Sequence, residues 1–295
     1  MTYFVNFGLT GFFGIFFAAL LFALVIHRTM MSPCSSLKEL LAPFPFSKVL
    51  LLITELFLLV LYSAMLSASS EVLLRIFNIN QFAGTLITAA AVTLIILKGY
   101  NSISDLSEVL FIPIVIIIFI ISLTSTEKSV TIPPPTVIDT KAFLSPVIYV
   151  SYNMLTTIPL LITIPDKYMY RNCGNQVGIV IFILSAMLIM PLYTHYSDIS
   201  SSTLPLMEIL KGRIKYLYEV LLMLAIFSTA VSAGYALLHS SKNTGTVKLA
   251  LFINFTAVII SFLGFNTIVN KVYFIFGIAG ILLFAVLFLP SKIKQ

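Results

Sequence analysis

Polar side chains are concentrated in the apolar segment SPVIYVSYNMLTTIPLL, residues 145–161. The surrounding run is long enough to cross a bilayer, and Pro146 and Pro159 bracket the polar groups. Hydroxyl and amide groups donate and accept hydrogen bonds without carrying a charge, which suits a small polar or zwitterionic solute. We assign to this predicted substrate site Tyr149, Ser151, Tyr152, Asn153 and Thr156, together with Tyr62 from an earlier apolar segment.

Two interpretations of this polar cluster stay open at the level of sequence. Transporters place broken helices near the bilayer midplane, where the freed backbone faces protein or a water-filled cavity. On that interpretation the two prolines predict a broken helix beside a solute site. Alternatively, Ser, Thr and Asn side chains hydrogen-bond between packed spanning helices, where proline is also tolerated.

A second group of hydroxyls lies in AIFSTAVSAGY, residues 225–235. Ser228, Thr229 and Ser232 offer oxygen ligands of the kind that hard cations prefer, and we assign them to a predicted Na⁺ site. Small residues also allow helices to approach closely, so packing alone explains the same pattern.

One carboxylate lies inside an apolar run. Glu55 belongs to LLLITELFLLVLYSAML, and an ionisable residue within a spanning segment indicates a functional site by default. Its protonation would couple a proton to transport, so Glu55 joins the predicted cation and coupling residues. Lys48, seven residues earlier, is the alternative partner that would make Glu55 a structural group.

The composition places these clusters in a membrane protein. The chain has 295 residues, of which 59% are hydrophobic and 9% charged, and its mean hydropathy is +1.08. Ordinary soluble domains carry about 25% charged residues. The net charge of +6 is scattered, without a basic run or an aromatic-interleaved patch, so nucleic acid is not an expected partner. The expected partners are the lipid bilayer and a small solute.

Catalytic and metal signatures are absent from the sequence. Cys34 and Cys173 have no metal-binding spacing, and the three histidines are far apart. There is no HExxH, GxSxG or P-loop pattern, so we do not expect an enzyme or a bound cofactor. The first apolar run lacks the basic start of a cleavable signal peptide.

Apolar runs of about 20 residues predict about nine spanning helices in an all-α membrane domain that covers 1–295. The predicted spans are 8–27, 49–68, 82–98, 107–123, 142–164, 176–194, 216–239, 249–265 and 269–289. A proline-rich loop at 124–141 separates four spans from five. Residues 200–215 also have the spacing of an amphipathic helix, with Leu206, Leu210 and Ile214 on one face; it would cap a cavity or lie on the headgroups.

Basic residues favour an outside N-terminus and an inside C-terminus, because cytoplasmic loops carry an excess of Lys and Arg. Ten of the 17 then lie inside: Arg28, Lys38, Lys48, Lys98, Lys167, Arg171, Lys242, Lys248, Lys292 and Lys294. Both cysteines would face the reducing compartment, which fits unpaired thiols.

The order of four segments adds a family resemblance. FGLTGFFGIFFAALLFAL, SPVIYVSYNMLTTIPLL, STAVS and GFNTIVNKVYFIFGIAGI follow one another along nearly the whole chain. This order resembles the YkvI family of bacterial membrane proteins, which is similar to the amino acid–polyamine–cation transporter superfamily. The resemblance implies a location in the bacterial cytoplasmic membrane and a LeuT-type fold. That fold has two five-helix repeats of opposite orientation, each with a broken first helix.

The chain departs from that family in its first repeat. The four spans in 1–123 match family helices two to five, whereas 142–295 matches a complete second repeat. The family's first helix, which supplies half of the substrate site and part of the sodium site, has no counterpart before FGLTG. Three explanations stay open: a start upstream of Met1, a decayed and inactive paralogue, or a partner that fills the gap.

The resemblance implies a secondary-active transporter of a small organic solute, such as an amino acid or amine, driven by Na⁺ or H⁺. The alternatives are a non-transporting nutrient sensor, similar to germination-permease subunits, and a truncated inactive paralogue.

Overall fold

The computed structural model describes residues 8–125, 140–170, 172–195, 206, 209–240 and 247–288. The α-helices in these ranges are α1 (Leu9–Met31), α2 (Leu37–Leu41), α3 (Ser47–Phe77), α4 (Gln81–Leu97), α5 (Tyr100–Ser125), α6 (Thr140–Leu161), α7 (Cys173–Thr194), α8 (Gly212–Leu238), α9 (Val247–Ser261) and α10 (Phe265–Phe288). A short 3-10 helix, Lys167–Tyr170, lies between α6 and α7. The described ranges contain no β-strand.

Six of these helices, α1, α3, α5, α6, α7 and α8, are long and apolar enough to cross a membrane. The shorter apolar helices are α4, α9 and the Ala279–Phe288 part of α10. Large apolar side chains point outward, with Phe13 72% and Phe255 68% exposed, as they do where lipid is the solvent. The chain is therefore an α-helical membrane protein, as its composition predicts.

Each of the nine predicted spans coincides with one described helix, although the bounds differ. The largest difference is in α3, predicted as 49–68, which continues to Phe77. Hydropathy falls over this extension because it contains Glu71 and Arg75 as well as two serines. The Ser69 and Ser70 hydroxyls donate to helix carbonyls at 2.8 and 2.7 Å, so these polar groups do not end the helix. Asn78, in the left-handed conformation with φ 55°, ends the helix. Residues 126–139 of the predicted proline-rich loop lie outside the described residues.

The predicted break in the segment 142–164 is wrong, because α6 runs without interruption from Thr140 to Leu161 and includes both prolines. Its polar side chains are accommodated by bonds to carbonyls four residues earlier. The Ser151 hydroxyl donates to Val147 at 2.7 Å, and the Asn153 amide donates to Tyr149 at 2.7 Å. The helix therefore satisfies polar groups at membrane depth without unwinding.

The apolar face predicted for the segment 200–215 is confirmed in its described part. Leu206 and Leu210, 8% and 4% exposed, and the partly buried Ile214 pack in one cluster with Tyr218, so this face is turned into the protein rather than along headgroups. The prediction of one continuous helix is wrong, however. Gly212, with φ +58°, breaks the helical path there, and α8 begins at that residue. Glycine reaches this conformation without the Cβ clash that other residues meet, so the chain turns into α8 at this point.

Contacts between helix termini define the two ends of the bundle. At the end that we call the α2 end, Arg28 of α1 lies 5.7 Å from the ring centroid of Phe288 in α10. Ser240, just after α8, also contacts Glu55 near the start of α3 there. At the opposite end, the Tyr193 hydroxyl of α7 donates to the Gly8 carbonyl before α1.

The centre of the bundle is α3, which contacts α4, α6, α8, α9 and α10. On one side, α1 packs against α6 and α7, and α10 also packs against α6. The α1–α7 contact is close because Gly178 faces α1: an added Cβ would lie 2.8 Å from the Ala23 Cβ. These contacts hold α3, α6 and α8 around a shared space.

Candidate functional site

A cleft of about 430 Å³ lies between α3, α6 and α8. Its size falls within the usual range of small-molecule sites, about 300–1,000 Å³. Its walls are formed by Phe57, Leu61 and Met65 from α3; Tyr149, Tyr152, Asn153, Thr156, Thr157 and Leu160 from α6; and Ser228, Thr229 and Ser232 from α8. The structure thus brings together two polar clusters that are about 75 residues apart in the sequence.

The α6 wall follows helical spacing. Residues 149, 152, 153, 156, 157 and 160 recur at three- and four-residue steps, so they share one face of the helix. Two side chains on this face also support it, because the Asn153 amide donates to the Tyr149 carbonyl and the Thr157 hydroxyl donates to the Asn153 carbonyl at 3.0 Å. The carbonyl oxygen of the Asn153 side chain remains an acceptor that can face the cleft.

Aromatic contacts position the two tyrosines of the site. The rings of Tyr149 and Tyr152 meet edge to face with centroids 5.5 Å apart. Phe22 of α1 meets Tyr149 in the same geometry at 6.1 Å. Edge-to-face pairs at these distances are favourable, so α1 contributes to the site by holding Tyr149 in place.

The α8 wall presents hydroxyl groups on adjacent turns. Thr229 donates its proton to the Ala225 carbonyl at 2.8 Å, which leaves its oxygen able to accept. The hydroxyls of Ser228, Ser232 and Thr156 form no hydrogen bond to another residue in the described part of the chain. They line the cleft while only partly exposed, so they are available to a bound solute or ion.

The α3 wall is apolar and was not predicted as part of the site. Phe57, Leu61 and Met65 are spaced four residues apart, which is the pattern of an ordinary buried helix face. Phe57 packs on Phe276 of α10, with ring centroids 5.0 Å apart. Nothing in the sequence distinguishes these residues from core, because only the crossing of α3 with α6 and α8 places them at the cleft.

Among the described residues that line the cleft there is no Asp, Glu, Lys, Arg or His. A solute held there would find hydrogen-bond donors and acceptors on two sides and an apolar surface on the third. Na⁺ would find three hydroxyl oxygens, from Ser228, Thr229 and Ser232, which suit a hard cation but bring no negative charge. These three residues could therefore supply some, but not all, of the ligands of a sodium site.

Three of the predicted site residues lie elsewhere. Ser151 is fully buried on the α6 face that packs against Gly280 of α10. Tyr62 is also fully buried, and its hydroxyl donates to the side-chain carbonyl of Asn254 in α9. The position of Ser151 follows from helical geometry, since it is two residues from Tyr149 and Asn153, and side chains two apart do not share a helix face.

Glu55 lies near the α2 end, away from the cleft wall. Its carboxylate accepts a hydrogen bond from the Ser240 hydroxyl at 2.6 Å. Lys48, the partner considered from sequence, is exposed, and in the described part of the chain the partner of Glu55 is Ser240. A contact across 185 residues could not be inferred from the local sequence.

Lys167 is a buried cation near the same end, with 5% of its surface exposed. Its ammonium donates to the carbonyls of Cys34 and Ile162, the latter at 3.2 Å. Burial lowers the pKa of Lys167, and its proximity to Cys34 and Glu39 opposes that shift. Lys167 therefore joins the loop after α1 to the end of α6 rather than contributing to the cleft.

No protein-family model matches the chain, and a search of curated proteins finds no similar sequence.

Proposed function

We propose that the protein is a secondary-active transporter of a small polar or zwitterionic solute, such as an amino acid or amine, and that the α3–α6–α8 cleft binds this solute. The observation that carries the proposal is the shared cleft itself. Hydroxyl groups from α6 and α8 face one cavity of about 430 Å³ at membrane depth, and several are available to a ligand. Substrate sites of transporters lie near the midplane between helices of two structural repeats.

Helix pairing supports an inverted repeat of the kind found in LeuT-type transporters and implied by the resemblance to the YkvI family. In such a repeat each helix of the first half has an equivalent in the second half: α1 and α7, α3 and α8, α4 and α9, α5 and α10. When each helix is replaced by its equivalent, the contact α3–α10 becomes the contact α8–α5. In the same way the contact α3–α9 becomes α8–α4, and the contact α1–α10 becomes α7–α5. All three contacts and their three equivalents are present in the structure. Internal repeats of opposite orientation produce this kind of paired contact.

The exchange leaves α6 without a counterpart among the described helices. The partners of α6 are α1, α3, α8 and α10, so its counterpart would lie against α7, α8, α3 and α5. Of the six candidate spans, α5 and α7 are the least buried, which fits an unfilled place beside them. We propose that a helix at this place, contributed in cis or by a partner, completes the cleft.

The proposed coupling ion is Na⁺ at Ser228, Thr229 and Ser232, or H⁺ at Glu55. The three hydroxyls line the cleft beside the proposed solute site, which favours Na⁺. We place the α2 end on the cytoplasmic side of a bacterial inner membrane. The basis is the sequence assignment of ten of the 17 Lys and Arg residues to this side, the excess that cytoplasmic loops carry.

Ligand binding is tested by the thermal unfolding temperature of the purified protein in detergent, measured with a panel of single amino acids and amines. A ligand at 100 times its Kd stabilises the folded state by about 2.7 kcal/mol, so binding raises the unfolding temperature. The Thr156→Ala/Ser232→Ala variant should lose that rise, whereas Ser261→Ala, a buried serine of α9 away from the cleft, should keep it.

Uptake of the ligand into proteoliposomes then separates transport from sensing. Uptake that depends on a Na⁺ or H⁺ gradient supports transport. Binding without uptake by the complete assembly would contradict transport and support a sensor.

A further inference from the structure

Burial varies along α8: Tyr218, Glu219 and Leu221 near its start are buried, and a less buried stretch follows them. From Leu222 to Thr229, on the side of the opposite end, none is buried. From Ala230 onward, toward the α2 end, most are buried, including Tyr235 at 4%, Leu238 at 2% and Ser240 at 4% exposed. The cleft residues of α8 lie where the less buried stretch meets the buried one, so packed side chains of α8 border the cleft on the side of the α2 end.

Buried side chains of α6 and its following turn also lie between the cleft and the α2 end. Ile158 and Ile162 are 0% and 1% exposed. The short helix α2 adds Leu37 and Leu41, both fully buried, to this side of the bundle. The cleft is therefore closed toward the α2 end by packed apolar side chains.

One hydrogen bond joins two walls of the cleft within this closed region. Glu55 precedes the cleft residue Phe57 in α3, and Ser240 follows the cleft residue Ser232 in the chain direction of α8. Because α3 and α8 run in opposite directions, both residues lie between the cleft and the α2 end. The Ser240 hydroxyl donates to the Glu55 carboxylate at 2.6 Å, a charge-assisted bond in a half-buried setting.

Neighbouring contacts hold the remaining elements at this level. Tyr235 of α8 interacts with Thr163 in the turn after α6. Lys167 joins that turn to the loop after α1 through the Cys34 carbonyl. In the described part of the chain, the Ser240–Glu55 bond links the end of α8 directly to α3, two of the helices that form the cleft.

We propose that the Ser240–Glu55 hydrogen bond is the latch of a gate that closes the cleft toward the α2 end. This inference rests on the proposed transport function, since a transporter must open its site to each side in turn. In the structure the gate is closed, so the cleft is shielded from the α2 side. Opening requires α3 and α8 to separate at Glu55 and Ser240, because these residues lie where the two walls are joined.

The latch is tested by the accessibility of a cysteine in the cleft. The parent is a Cys34→Ser/Cys173→Ser chain with Ser232→Cys as its single thiol, reconstituted in vesicles. A membrane-impermeant thiol reagent is applied from one face of the membrane or from the other. A second chain carries Ser35→Cys, an exposed position at the α2 end, in place of Ser232→Cys, and the face from which it is labelled is the α2 face. In the parent chain, labelling should be slower from the α2 face than from the opposite face.

Adding Ser240→Ala removes the donor and should raise the labelling rate from the α2 face about tenfold or more, as expected when a hydrogen bond to a charged group is lost. Glu55→Gln keeps a carbonyl acceptor for Ser240 but removes its charge, so it should raise that rate less than Ser240→Ala does. Ser63→Ala is the matched control, because its hydroxyl bonds within α3 to the Leu59 carbonyl.

Equal labelling of the Ser240→Ala and parent chains from the α2 face, with both chains folded by size-exclusion profile and unfolding temperature, would overturn the latch. That result together with gradient-driven uptake by the unmodified protein would leave transport intact and remove only the gate. Faster labelling of the Ser240→Ala chain from the α2 face, together with no uptake by the unmodified protein, would support the latch and contradict transport.

Discussion

The Tyr62 hydroxyl donates a hydrogen bond to the side-chain carbonyl of Asn254, and this bond joins the middle of α3 to α9. The Asn254 amide in turn donates to the Thr93 hydroxyl of α4 and to the Ala250 carbonyl of its own helix. One asparagine thus connects three helices through a buried network in which both its amide protons and its carbonyl are used. Satisfied networks of this kind make a bundle rigid, which is what α3 requires as a wall of the cleft.

Asn254→Leu should lower the free energy of unfolding by about 1–3 kcal/mol, because it leaves the buried Tyr62 hydroxyl without its acceptor, whereas Thr93 keeps its bond to the Ala89 carbonyl. Tyr62→Phe should cost about 1 kcal/mol alone but less in the Asn254→Leu background, since the partner has already been removed. Unfolding in detergent measures all four proteins of the cycle. Tyr216→Phe, at a residue of α8 that is 67% exposed, is the control with little expected effect. Additive costs would contradict the coupling.

The contact between α6 and α10 depends on the absence of a side chain at Gly280. A Cβ there would overlap the backbone carbonyl of Ser151, so Gly280→Ala should destabilise the protein by about 1–3 kcal/mol. Gly234 of α8 is the matched control, because its added Cβ would lie 3.5 Å from Val92 Cγ1 in ordinary contact. Gly234→Ala should be neutral or stabilise by up to about 1 kcal/mol through helix propensity. Equal effects of the two changes on the unfolding temperature would contradict this packing.

The sequence predicts the positions of the helices well, because apolar length is a property of each segment alone. It also predicts two polar clusters, and most of their residues share the cleft. Ser151 was misplaced because a list of polar residues in one segment does not distinguish the faces of a helix. The prediction of a broken helix at α6 is wrong because the side chains of Asn153 and Ser151 hydrogen-bond to carbonyls of their own helix. Phe57, Leu61 and Met65 were missed because their role depends only on how distant helices cross.

Lys167 should give stability a distinctive dependence on pH. Its pKa in the folded protein lies below the ordinary value of 10.5, so between those two values the unfolded chain binds more protons than the folded one. The contribution of Lys167 to stability therefore rises as pH increases through the lowered pKa toward 10.5. Lys167→Met removes this contribution and also leaves the Cys34 and Ile162 carbonyls without their donor, at a cost of about 1–3 kcal/mol.

Unfolding temperatures of the wild-type and Lys167→Met proteins, measured between about pH 7 and pH 10.5, check this prediction. The difference in favour of the wild type should widen toward the alkaline end. A difference that narrows with rising pH would show that Lys167 is stabilised as a cation, contrary to its burial.

The hydroxyls of α8 should determine the ion dependence of solute binding. Ser228→Ala/Thr229→Ala removes two of the three hydroxyl ligands that line the cleft, so Na⁺ should no longer strengthen binding of the solute found in the thermal panel. The measurement is the solute Kd with and without Na⁺ at constant ionic strength. An undiminished Na⁺ effect in this variant would reject the assigned ion site. Ser261→Ala, which keeps all three ligands, should preserve the effect.

The central claim is that the cleft between α3, α6 and α8 binds the transported solute. Its most direct test is gradient-driven uptake of the panel ligand into proteoliposomes, compared between the wild type and Thr156→Ala/Ser232→Ala at equal reconstituted amounts. Both altered hydroxyls face the cleft without a bond to another described residue, so folding should be preserved while uptake falls at least about tenfold, the change that about 1.4 kcal/mol of lost binding produces. Uptake by the variant at the wild-type rate would contradict the account.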